Sequence, residues 1–174
     1  MKKGILLSIM VTALTLVASA QEGQDYILTL RKDTIFGKIK FNTRESHITF
    51  MHKRKRIHFH PKTLPAFGIY DKKKGYRCYK AITNAVGKSM FVEVLNEGKV
   101  KLYKYKILAD FQHGTHQRDY YFIGRSDNKL VTLTPRSYSV AMRALIKDYP
   151  ELIPELERTS YQQVPNLVAS INQQ

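Results

Sequence analysis

Cysteine, tryptophan and acidic side chains are what this chain has least of. Its 174 residues hold one cysteine, no tryptophan, and 14 Asp and Glu against 29 Lys and Arg. A single cysteine, Cys78, excludes any internal disulfide, so stability has to come from a packed core. Alternation in Tyr76-Arg-Cys-Tyr-Lys-Ala-Ile82 sets Cys78 on the face of Tyr76, Lys80 and Ile82. That suits a small buried hydrophobe better than an activated thiolate. Nucleophilic and metalloprotease signatures are weak too: there is no G-x-S-x-G and no H-E-x-x-H, and the one S-x-x-K, Ser126-Asp-Asn-Lys129, falls in a turn between two strand-like runs. The five acids of residues 31–106, Asp33, Glu45, Asp71, Glu93 and Glu97, are scattered, and only Glu93 falls inside a clear strand. One carboxylate does not make an acid–base pair. The reading therefore leans away from an enzyme and calls for no cofactor.

Long apolar runs are also lacking after residue 20. Before it, Lys2 and Lys3 precede the 13 residues Ile5 to Val17, and Ala18-Ser-Ala20 follow. A short apolar core between positive and small residues reads as a signal peptide cleaved before Gln21. No cysteine follows, so lipid attachment is not expected; the chain is expected to be exported, periplasmic or extracellular. Residues 21–174 then form a single domain, large enough to bury about two-thirds of its unfolded surface.

What is abundant is positive charge, and it is localised. Residues 31–106 carry 20 Lys and Arg against 5 Asp and Glu, whereas residues 107–174 carry 7 of each. The same basic stretch is rich in short alternating runs. In Thr34-Ile-Phe-Gly-Lys-Ile-Lys-Phe41, Ile35, Gly37, Ile39 and Phe41 share one face, and Phe36, Lys38 and Lys40 the other. Gly37 on the inward face predicts a bulge or a close approach of backbones. Similar runs recur from Tyr26 to Leu133, and Asn96-Glu-Gly98 is the clearest hairpin signal. Lys53-Arg-Lys55 contains neither Gly nor Asn, so a longer loop is expected there than a two-residue turn. Ala109 to Gln117 reads as a polar loop.

After Thr134-Pro135 the period changes. Tyr138, Ala141, Met142, Leu145 and Tyr149 fall on one helical face, and Val164, Leu167, Val168 and Ile171 on another. The fold class is thus α+β. An antiparallel meander of about ten strands (26–133), curved or partly closed into a barrel, is followed by two or three helices (134–172).

Several of these motifs together resemble small exported β-rich proteins of Gram-negative bacteria with no settled function. The likeness rests on Asp33-Thr-Ile-Phe-Gly-Lys-Ile39, Tyr120-Tyr121, Tyr138, Pro150-Glu-Leu152 and Ile171-Asn172. Such relatives often have cysteine where this chain has Tyr149. The resemblance implies the fold and export, and lends no catalytic residue.

Two surfaces stand out as candidate sites. Lys53-Arg-Lys-Arg56 and Lys72-Lys-Lys74 sit at turns that could share one end of the sheet, and Lys101 lies among Tyr103 and Tyr105 on one strand. Cations beside exposed rings suit a polyanion. For an exported chain the partners expected are anionic envelope lipid, lipopolysaccharide or acidic glycan, with nucleic acid an awkward fit. The competing reading is a solvated face, since strand lysines also block edge aggregation. The second candidate is metal binding by His58 and His60, one residue apart on a strand, with His113 and His116 as a further pair.

Overall fold

The structure, a computed structural model, describes residues 23–84, 86–111, 114–125 and 129–173. Residues 1–20, read above as an address segment, lie outside them. Ten antiparallel strands form one sheet: β1 Asp25–Leu28, β2 Thr34–Asn42, β3 His47–His52, β4 Lys55–Phe59, β5 Ala66–Asp71, β6 Gly75–Thr83, β7 Ser89–Glu97, β8 Lys101–Phe111, β9 Gly114–Gly124 and β10 Val131–Leu133. Their order is β10-β9-β8-β7-β6-β5-β1-β2-β3-β4. Three helices follow: α1 Tyr138–Leu145, α2 Ile153–Arg158 and α3 Val164–Gln173. The α+β meander is as expected. Closure into a barrel is not: the end strands β4 and β10 do not pair with each other.

Bending takes the place of closure. Phe41 of β2 stands 5.2 Å from Phe67 of β5, 5.1 Å from Tyr79 of β6 and 6.2 Å from Phe91 of β7, ring centre to ring centre. β2 therefore lies over strands it does not pair with. Ser46, in the β2–β3 turn, fastens this fold-over, its hydroxyl accepting from the Phe91 N–H at 2.9 Å. Ile27, Ile48, Phe50, Leu64, Phe67 and Phe91 are buried between the two layers. Gly37 faces Phe50 as its inward position predicted. A Cβ there would sit 2.5 Å from the Phe50 ring, so only glycine lets that ring lie against the strand.

The other half of the same face is covered by the helices. Val164, Leu167, Val168 and Ile171 of α3, and Met142 of α1, are all buried with Leu102, Ile123 and Leu133. Asn172 completes the docking. Its side chain accepts from the Val100 N–H at 2.8 Å and donates to the Val100 carbonyl at 2.8 Å, standing in for a neighbouring strand. α1 begins after Ser137, and the Thr134 hydroxyl accepts from the Ser137 N–H at 3.2 Å in the turn that precedes the helix. The helix stops at Leu145, short of Tyr149, which still packs against the same core.

β7 and β8 are buried on both faces. Met90, Phe91 and Val92 are consecutive and all buried, as are Leu102 and Tyr103. Ile82, Met90, Val92, Tyr103 and Phe122 form a separate cluster on the face away from α3. Double burial removes the alternation by which a half-exposed strand is recognised.

Two local expectations are overturned. β3 and β4 pair up to His52 opposite Lys55, so Lys53 and Arg54 alone make the turn. Both have left-handed backbone, φ 47° and 66°. This is the twist-matched two-residue turn, made without the usual Asn-Gly. The stretch 109–117 is no polar loop either: β8 and β9 stay paired out to Phe111 opposite Gly114.

Candidate functional site

The strand order decides which basic residues meet. β3 and β5 run in opposite directions, because each successive pair β5-β1-β2-β3 is antiparallel. The turns that follow them leave the sheet at opposite ends. Lys53, Arg54, Lys55 and Arg56 therefore do not share an end with Lys72, Lys73 and Lys74, although all seven are exposed. The second group is a turn closed by Asp71, whose carboxylate accepts from the Lys73 and Lys74 N–H groups at 2.8 and 3.2 Å.

The β1–β2 turn joins the first group instead. β1 runs parallel to β3, so Arg31 and Lys32 emerge at the same end as Lys53–Arg56. β2 carries them further out, because Thr34, Ile35 and Phe36 have no β3 partner. Thr29 and Asp33 pair across this turn, the Thr29 N–H reaching the Asp33 carbonyl at 2.9 Å, and Lys32 holds φ 66°. Glycine is the usual occupant of that left-handed position. Leu30, between the two pairing residues, is 74% exposed, and Ile57 on the edge strand β4 is 44% exposed. Six cations and the uncovered Leu30 thus leave from one end of β1–β4, with Ile57 further along β4, opposite Phe50. Sequence reading missed Arg31 and Lys32, which only the strand order brings into this group.

Tyr103 is not part of a stacking face. It is fully buried, and its hydroxyl donates to Glu97 at 3.1 Å. Lys101 and Tyr105 are half-buried neighbours of it on β8.

A second arrangement lies on the inner face between the folded-over strands and the helices. Glu93 is only 12% exposed and is held from two sides, by Arg77 Nε at 3.0 Å and by Lys104 Nζ at 3.1 Å. Burial pushes the Glu93 carboxyl up, but the Arg77 hydrogen bond and the Lys104 ion pair outweigh it, leaving the group below its ordinary value. Arg77 also donates to the Tyr79 hydroxyl. Burial, reinforced by the Glu93 charge, raises that phenol to about 12. The recess above these groups, lined also by Phe41, Thr43 and Lys106, has room of about 30 Å³. That admits one or two waters and no substrate. With its one carboxylate neutralised, it reads as a structural ion pair.

The histidines divide. His58 and His60 project from the outer face of β4, and the structure adds His47 of β3, opposite His60. His47 lies 6.2 Å from His58 and 5.8 Å from His60 between ring centres. Glu45 Oε2 is 3.0 Å from His47 Nδ1, and Thr49 Oγ1 is 3.1 Å from His58 Nδ1. His113 lies outside the described residues, and of His116 only its place in β9 opposite Ala109 is described. Cys78 is half-buried, with the Tyr26 hydroxyl 3.5 Å from its sulfur.

Compared with protein-family models, curated proteins and solved structures, the chain matches none of them. Among the described residues no helix is long and apolar enough to cross a membrane.

Proposed function

We propose that this chain is a non-catalytic module of the cell envelope that attaches to an anionic lipid surface through the basic turns at one end of β1–β4. The observation that carries the reading is the backbone of Lys32, Lys53 and Arg54, all at positive φ. A left-handed conformation costs a non-glycine residue about 1–2 kcal/mol. At three such positions the chain holds a long cation where glycine or asparagine would fold more readily. Strain retained at an exposed tip is a pointer to function.

Lipid is favoured over glycan by Leu30, which stands exposed beside Arg31 and Lys32. A basic side chain near an anionic bilayer contributes about 1 kcal/mol, and a buried leucine adds about 2. Four engaged cations with Leu30 would give about 6 kcal/mol, a Kd of tens of micromolar. The attraction would be reversible and salt-sensitive. The export expected from residues 1–20 and the resemblance to small exported proteins both fit this address.

Flotation with vesicles of phosphatidylglycerol and phosphatidylcholine tests it. Binding is expected to phosphatidylglycerol at low salt, to weaken several-fold in the double variant Lys53→Asn, Arg54→Gly, and to weaken again with Leu30→Ser. Equal binding to pure phosphatidylcholine would overturn the reading. So would retention on heparin beyond ~0.2 M salt without any vesicle binding, which points to a glycan partner.

A further inference from the structure

We propose that His47, His58 and His60 form a surface site for a borderline divalent transition-metal ion, oriented by Glu45 and Thr49. This goes beyond lipid attachment and stands independently of it. Three imidazoles on one face of one hairpin supply neutral nitrogen donors, the ligand type that suits Zn²⁺, Cu²⁺ and Ni²⁺ over Mg²⁺ or Ca²⁺.

The register creates the cluster. Ile48 pairs with Phe59 and Thr49 with His58, so His47 stands across from His60 and one step diagonally from His58. With Zn–N bonds of about 2.0–2.1 Å, two imidazoles sharing a zinc have ring centres about 5.2 Å apart at the tetrahedral angle, and further apart as the angle opens. The observed 6.2 and 5.8 Å are within about 1 Å of that separation. Among the described residues no three such side chains yet converge on one point. His58 and His60 are exposed and His47 is partly so, which leaves their rings room to rotate together around an ion.

The outer partners point the same way. The Glu45 carboxylate holds Nδ1 of His47, and the Thr49 hydroxyl holds Nδ1 of His58. For His47 the carboxylate accepts from Nδ1–H and leaves Nε2 as the outward donor, whereas the Thr49 hydroxyl, able to donate or accept, orients the His58 ring through Nδ1 and leaves Nε2 facing outward. Metal-binding histidines carry the same kind of support, and its loss costs 10–100-fold in affinity. Arg56, two residues before His58 on the same face, opposes a cation. Glu45 supplies the compensating negative charge. A fourth ligand would come from water, since the site is open.

Titration of the full chain with ZnCl₂, followed by calorimetry and by the imidazole proton resonances, tests the site. One Zn²⁺ per chain at micromolar Kd is expected, with the His47, His58 and His60 signals shifting together and no response to Mg²⁺. His47→Gln and His60→Gln should each weaken binding at least tenfold. Glu45→Gln should weaken it tenfold or more while leaving the fold unchanged. Zinc binding that survives His47→Gln, or a Kd weaker than about 1 mM in the parent chain, would overturn the proposal. Far-ultraviolet circular dichroism of each variant separates a lost site from a lost fold.

Discussion

Lys53 and Arg54 hold a turn whose backbone prefers other residues, and this sets stability against charge. Replacing them with Asn-Gly should relax both left-handed positions and raise unfolding free energy by about 1–2 kcal/mol, read from urea denaturation. The same change should lower vesicle binding. A variant less stable than the parent would mean that the two side chains make contacts the backbone argument omits. Glu93 is the opposite case, a residue whose surroundings are complete. Glu93→Gln leaves Arg77 and Lys104 facing each other without their shared anion, and a loss of about 3 kcal/mol is expected. Its carboxyl lies below the ordinary 4.5 in the fold. The stabilisation is therefore fully present above that value and is lost as pH falls through the depressed one. Thermal unfolding followed across the acid range should show this loss in the parent and a weaker slope in Glu93→Gln.

α3 is held to the sheet by apolar burial and by one polar side chain with a specific task. Asn172 satisfies both the N–H and the carbonyl of Val100, which no strand pairs. Asn172→Ala would orphan them, with an expected cost of about 2–4 kcal/mol for two half-buried groups. Hydrogen exchange at Val100 should then accelerate more than exchange in β3. Gly98 faces the same side chain: a Cβ there would lie 2.5 Å from Asn172. Gly98→Ala should thus weaken the docking of α3 in the same assay, although its own φ needs no glycine. The helices themselves were legible in the sequence, because each presents one apolar stripe to one core. β7 and β8 were harder to read. Met90-Phe-Val92 and Leu102-Tyr103 are apolar without a period, since side chains on both faces are buried. The same double burial turned Tyr103 from an expected surface ring into a core residue.

The whole molecule is an open sheet bent upon itself, with one inner face shared between two covers. Strands β2–β4 cover one half and the helices the other, so neither half depends on closing β4 to β10. Where the charge lies on this body follows from strand direction. Residues 31–106 carry the positive excess throughout; the Arg31–Lys32 and Lys53–Arg56 turns emerge at one end of β1–β4, and the Lys72–Lys74 turn leaves at the opposite end. Substituting Lys72, Lys73 and Lys74 by Gln removes three charges at that far end. It should change vesicle binding less than substituting Lys53, Arg54 and Lys55 by Gln, although both variants lose the same net charge. An equal effect would mean that overall charge, and not the β1–β4 tip, governs attachment.

By itself the sequence determined the class of the fold, most strand positions, the helical stripes and the half of the chain that carries the charge. These are local properties: alternation, helical period and composition survive without knowledge of neighbours. Which basic turns share an end, which histidine joins His58 and His60, and whether Tyr103 faces water were decided only by the tertiary structure. Each depends on the order, direction and register of strands brought together across many intervening residues, and no local pattern encodes these.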